Sequence, residues 1–98
     1  IINLAQKPVR ERLAEALLFL KNIYGMEDDQ KTIKVIMKRE EIANIAGTSV
    51  ESTIRTLSEF NKDKLIKIDG KKIKILDLKL LLLTANVLDW IFKEHFFS

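Results

Sequence analysis

Cysteine is absent from all 98 residues. That removes disulfides, thiol nucleophiles and cysteine-ligated zinc together, and it suits a reducing compartment such as the cytoplasm. Histidine occurs once, at His95, with no partner at a metal-ligand spacing. Three glycines and one proline do not make a low-complexity chain. Long apolar runs are missing too. The longest, residues 80–88, has nine residues without a charge, whereas a membrane-spanning helix needs roughly twenty. No acid–base pair, no nucleophile beside a base and no phosphate-cradling glycine loop is present. Glu40 with Glu41 and Asp28 with Asp29 are chain neighbours, which diverge on a helix or sit in a loop. An enzyme is not expected. The opening Ile1-Ile2-Asn3 has neither an initiator methionine nor a secretory pattern, which suits a piece cut from a longer chain.

What is present is a mildly basic chain of net charge +3, with its charge unevenly spread. Residues 62–79 hold seven lysines against three aspartates, so the remainder is slightly acidic. A basic segment on a near-neutral body is the electrostatic footprint of a surface that meets phosphates.

Apolar spacing divides the chain into elements. Pro8 suits the start of a helix. Val9, Leu13, Leu17, Leu20 and Tyr24 then mark one helical stripe, with Arg10, Glu11 and Arg12 off it, and Gly25 is a natural stop. Residues 26–31 read as a polar loop and residues 32–37, with Ile33, Val35 and Ile36, as a brief strand. A helix over residues 39–46 is expected to turn Ile42, Ala43, Ile45 and Ala46 inward. Ala43 is small where two helices must cross, and Gly47 can take the positive φ of a sharp inter-helix turn. Thr48 and Ser49 are good N-caps for a second helix over residues 50–60, whose inward side is Thr53, Leu57 and Phe60. Residues 65–68 and 72–76 are β-type runs around an Asp69-Gly70 turn signal. One face of that hairpin is isoleucine-rich and the other lysine-rich. Asp77 can cap a final helix running to about residue 93. The expected fold is mainly α with a small β-hairpin, a winged helix-turn-helix with an extra C-terminal helix.

Three segments in register carry a family resemblance. KPVRERLAEALLFL (residues 7–20) resembles the helix that opens the C-terminal domain of the cyclic-AMP-receptor/fumarate-nitrate-regulator (Crp/Fnr) family of bacterial transcription regulators. MKREEIANIAGTSVESTIRTLSEFNKDKLI (residues 37–66) resembles that family's helix-turn-helix, and IKIDGKKIKILD (residues 66–77) its wing. Together they cover roughly residues 4–78. On this basis residues 1–6 are the end of an inter-domain connector, 7–77 the winged helix-turn-helix, and 78–98 an apolar helical extension beyond the usual family end.

The resemblance implies roles. The second helix of the motif enters the major groove of double-stranded DNA. Glu51 and Arg55 match base-reading positions: arginine donates twice to guanine, and glutamate accepts from cytosine N4. Val50 and Ile54, on the same side of that helix, are further base-reading candidates. Arg39, Thr48, Ser49 and Ser52 match phosphate-contacting positions, and Lys71 and Lys72 at the wing tip are candidates for backbone contact. This chain departs from the common pattern at Thr53 and Ile54, where the apolar residue is displaced by one position. Lys38 stands where a threonine N-cap is common, and Val50 resembles the fumarate-nitrate branch. Ile54 suits a thymine methyl. The resemblance also implies an absent N-terminal sensor domain that would bind any effector, so no cofactor is expected here. It implies a homodimer with recognition helices about 34 Å apart, and it admits RNA polymerase as a partner.

Each reading has a plainer alternative. Glu51 and Arg55 can form a surface ion pair one turn apart, the hairpin lysines can be ordinary solvated charges, and Ile54 can pack beside Leu57. A winged helix can also bind protein instead of DNA. The tail, with Leu78, Leu80–83, Val87, Leu88, Trp90, Ile91, Phe92, Phe96 and Phe97, is apolar on more than one helical side. It is expected to meet a second copy or a missing domain, the alternative being that it wraps the first helix.

Overall fold

In the computed structural model, which describes residues 7–86, helix α1 (Val9–Tyr24) lies across a pair of shorter helices, α2 (Arg39–Ala46) and α3 (Val50–Lys62). An antiparallel hairpin of β1 (Ile66–Asp69) and β2 (Lys72–Ile75) follows, then α4 (Leu78–Thr84). This is the expected mainly helical winged helix-turn-helix.

The core forms where the apolar stripes of these elements meet. Helix α1 contributes Leu13, Ala14, Ala16, Leu17 and Leu20, α2 contributes Ile42 and Ala46, and α3 contributes Leu57 and Phe60. Leu65, Ile66, Ile73, Ile75 and Leu81 close it from the hairpin side and from α4. Thr53, Leu57 and Phe60 are fully buried, as their spacing predicts. The Thr53 hydroxyl avoids an unpaired burial by donating to the Ser49 carbonyl at 2.9 Å. Truncating a buried phenylalanine such as Phe60 costs about 3–5 kcal/mol, a large fraction of what holds a domain this small together.

The junction between α2 and α3 is set by a few local groups. Gly47 adopts a left-handed conformation (φ 70, ψ 38). The Thr48 N–H reaches back to the Ala43 carbonyl at 3.0 Å, and the Gly47 N–H to Asn44 at 3.3 Å, so the freed carbonyls of α2 are satisfied. Ser49 caps α3, its Oγ accepting the Ser52 N–H at 3.1 Å. The start of α2 is capped from one side only. The Lys38 ammonium cannot accept a hydrogen bond, and instead the Glu41 carboxylate accepts the Lys38 N–H at 3.0 Å.

Several expectations are corrected. Residues 32–37 do not form a strand; they make only two isolated bridges, Met26↔Ile33 and Thr32↔Lys74. Ile33 is buried and its N–H goes to Ile73, but the Val35 N–H turns back to the Ile33 carbonyl. Tyr24 and Ile45 lie outside the core, at 46% and 40% exposure. Helix α3 runs two residues past Phe60, to Lys62. In the hairpin Asp69 pairs with Lys72, so the loop is Gly70-Lys71 and not Asp69-Gly70. Gly70 has φ 62 and Lys71 does not share a positive φ, the pattern of a type II′ turn. Helix α4 stops at Thr84, and Asn86 is left-handed at φ 58. The rest of the expected helix, from residue 87 on, lies outside the described residues, as does the connector at residues 1–6.

The loop before the bridges is built on Asp29. Its carboxylate accepts the Thr32 hydroxyl at 2.6 Å and the N–H groups of Thr32 and Lys31 at 2.8 and 2.9 Å. These bonds, that from the Thr32 hydroxyl foremost, hold the Asp29 carboxyl at about 2, below its ordinary 3.8.

Gly47→Ala places a Cβ with only the Arg12 Nη1 near it, at 3.8 Å. Its cost is therefore backbone strain of about 1–2 kcal/mol, which urea denaturation should show as a lowered midpoint with an unchanged slope. For Asp29 the folded value lies below the unfolded one. Its contribution is thus present above about pH 4 and is lost as pH falls through about 2. Asp29→Asn should flatten that acid limb of the stability profile, and an unaltered limb would contradict the assignment.

Candidate nucleic-acid interface

The inner and outer sides of α3 are cleanly divided. Thr53, Thr56, Leu57 and Phe60 face the core, while Val50, Glu51, Ile54, Arg55 and Ser58 are exposed. At about 100° per residue the outer five occupy one continuous arc opposite the buried four. Val50 is 37% exposed and Ile54 49%, so Ile54 does not fold back beside Leu57. Glu51 and Arg55 stand one turn apart on this arc. They do not form an ion pair with each other. Arg55 makes instead a long bond, 3.4 Å, from its Nη2 to the Ser52 Oγ.

The N-terminal end of α3 gathers further polar groups. Ser49 is exposed, and its Oγ is engaged as cap acceptor, which leaves its hydroxyl hydrogen to donate elsewhere. Ser52 is half-buried, as is Thr48. Free N–H groups at a helix start favour an anion there.

The hairpin brings the second group of candidates. Arg39, at the first position of α2, donates from Nη2 to the Gly70 carbonyl at 3.3 Å. That bond joins the start of α2 to the tip of the wing, so Arg39 and Lys71 are brought together. Lys71 is exposed. Lys72 is engaged differently, since its ammonium pairs with the Glu27 carboxylate at 2.5 Å. On the outer face of the hairpin Lys67 and Lys74 are direct cross-strand partners. Like charges placed opposite each other destabilise a hairpin, and on the Lys74 side the Asp29 carboxylate offsets part of that repulsion. Asn61 of α3 fixes the wing from below, its Oδ1 accepting the Ile68 N–H at 3.0 Å.

Two residues outside the sequence-based set hold this surface in place. Arg12 of α1 donates from Nη1 to the Gly47 carbonyl at 2.8 Å, so it grips the turn between α2 and α3. Arg10 pairs with Glu59 at 3.0 Å and Asp63 at 3.6 Å, and lies 4.9 Å from the Phe60 ring centre. It ties α1 to the far end of α3. In the sequence both were merely charges off the apolar stripe. Their partners lie 35 to 53 residues away along the chain, so no local pattern could reveal them. Among the described residues no group of three or more His, Cys, Asp or Glu could hold a metal ion, and no helix is long and apolar enough to cross a membrane.

Comparison with known proteins agrees with this geometry. Residues 11–83 match the family described as the Crp-like helix-turn-helix domain. The chain is similar to the electron transport regulator A of Shewanella oneidensis, 37% identical over 79% of this chain and 31% of that protein. It is also similar to the fumarate and nitrate reduction regulatory protein of Vibrio cholerae, 32% identical over 89% of this chain and 35% of that protein. It thus spans about a third of the length of these relatives. Among solved structures, a CRP/FNR-family transcriptional regulator from Thermus thermophilus superposes with a TM-score of 0.75 at 28% identity. That match covers 85% of this chain and 43% of the other. A matched segment that runs from α1 into α4, and a fold shared over 85% of the chain, place this chain in the Crp-like helix-turn-helix domain family of the Crp/Fnr regulators.

Proposed function

We propose that this domain binds double-stranded DNA, sequence-specifically, as the output unit of a bacterial transcription regulator. The observation that carries the reading is the free outer arc of α3, with a guanidinium and a carboxylate one turn apart beside a lysine-bearing wing. In the major groove Arg55 would donate two hydrogen bonds to guanine O6 and N7, Glu51 would accept from cytosine N4, and Ile54 would meet a thymine methyl. Arg39, Thr48, Ser49, Ser52 and Lys71 would fix the register on phosphates. Lys72 would join them in exchange for its bond to Glu27, and Lys67 and Lys74 add cationic surface beside them. The domain itself performs no catalysis.

The relatives are much longer, so the rest of the regulator enters as part of this proposal. An N-terminal sensor domain would take the effector. Dimerisation would set two copies of α3 in successive major grooves about 34 Å apart, RNA polymerase would be a further partner, and the location would be cytoplasmic. One observation favours a second reading: Val50 and Ile54 are exposed apolar residues on the same arc, as a protein-binding winged helix would need.

Fluorescence anisotropy on duplex DNA at several salt concentrations separates the two. DNA binding through three to five cations gives a slope of log K against log salt between about −2.7 and −4.5. Lys71→Ala should reduce that slope by about one on every sequence. Arg55→Ala should cost about 1–3 kcal/mol on a selected site and relax preference there. No salt-dependent binding to any duplex would favour the protein-binding module.

A further inference from the structure

Behind the DNA-facing side, α1, the end of α2 and α4 leave an open groove of about 690 Å³. Its walls are mainly apolar: Ala16 and Phe19 from α1, Ile45 and Ala46 from α2, Leu78 and Leu82 from α4. Phe19 is 52% exposed and Ile45 40%, so the groove presents large apolar groups that the described residues do not cover. At its edge the Nε of Arg12 is buried without a hydrogen-bond partner. A buried guanidinium donor left unpaired is costly, and an occupant carrying an acceptor would satisfy it.

We propose that residues 87–98 of the same chain dock in this groove. The first reason is where the described chain ends. Ala85 is itself part of the groove wall, and Asn86, left-handed at φ 58, breaks the direction of α4 beside it. The second is composition. Seven of these twelve residues are Val87, Leu88, Trp90, Ile91, Phe92, Phe96 and Phe97, with Asp89 and Glu94 as carboxylate acceptors. Apolar surface on both sides gains free energy when it is taken from water. The third is length. Along α1 the groove extends from Arg12 to Asn22, about 15 Å of helix, and twelve residues reach about 18 Å even when helical. The fourth is the tether. A segment joined directly to the groove wall has an effective concentration in the millimolar range, far above that of a second copy at micromolar protein. The inference stands apart from the DNA reading, since the groove shares no residue with the outer arc of α3.

Trp90 is the only tryptophan in the chain and lies within this segment, so its fluorescence reports docking directly. The 98-residue chain should show blue-shifted emission protected from acrylamide, unchanged between about 1 and 100 µM, because tethered docking is independent of concentration. Phe19→Glu and Ile45→Glu alter exposed groove residues on two different helices. Each should shift Trp90 emission toward that of the urea-unfolded chain while far-UV circular dichroism of the helices is retained. Three results overturn the proposal: solvent-like Trp90 emission in the unaltered chain, protection that appears only as the protein self-associates, or protection that survives both substitutions.

Discussion

Everything on the outer surface of α3 depends on how its inner surface is used. Thr53, Leu57 and Phe60 are fully buried, and a helix with one side committed to the core has no rotational freedom left for the other. Burial of apolar area therefore decides orientation, even though the residues that would meet DNA add nothing to it. The left-handed Gly47 and the Ser49 cap set the angle at which α3 leaves α2. The two α1 arginines then brace both ends of the unit, Arg12 at the turn and Arg10 at the C-terminal end of α3. These exposed bonds are individually weak, but they act on a geometry that packing has already chosen.

The wing is supported by a similar division. Its isoleucines close the core from one side, while Asn61, Arg39 and the loop that Asp29 organises, through the Ile33 N–H to the Ile73 carbonyl and the Ile75 N–H to the Lys31 carbonyl, hold its edges. Lysines are left on the remaining surface. Lys67 faces Lys74 across the strands, a like-charge pairing that the Asp29 carboxylate, close enough to interact with Lys74, partly offsets. Lys72 shares its charge with Glu27, so the wing lysines are not equivalent: Lys71 is exposed at the tip, whereas Lys72 must exchange one carboxylate for another anion.

How much of this was legible in the sequence follows from the range of each signal. The α2–turn–α3 unit was readable because Ala43, Gly47, Ser49 and the 53/57/60 spacing act within a few residues. The hairpin was readable, but its turn was misplaced by one residue. Asp-Gly is a preference, whereas the pairing of Ile66 with Ile75 and Ile68 with Ile73 fixes the register. The β-branched run after residue 31 was misread as a strand. Composition cannot tell a ladder from two bridges when the N–H of Val35 turns back on its own segment. Tyr24 and Ile45 follow helical spacing, yet spacing marks a stripe without saying how far the neighbouring elements extend over it. The outward placement of Glu51, Val50 and Arg55 was legible, being the complement of the buried set; that of Ile54 stood open between the groove and a place beside Leu57 until its 49% exposure decided it. The roles of Arg10 and Arg12 were not, since each depends on residues far along the chain.

The central claim is that the outer arc of α3, with the wing tip, is the surface that meets DNA. Backbone amide chemical shifts recorded while duplex is added to the 98-residue chain test it most directly. The account predicts that the largest changes fall on Val50, Glu51, Ile54, Arg55 and Lys71, with Phe19, Ile45 and Leu82 unmoved. Changes concentrated on the groove side, or an α3 that stays silent as DNA binds, would contradict it.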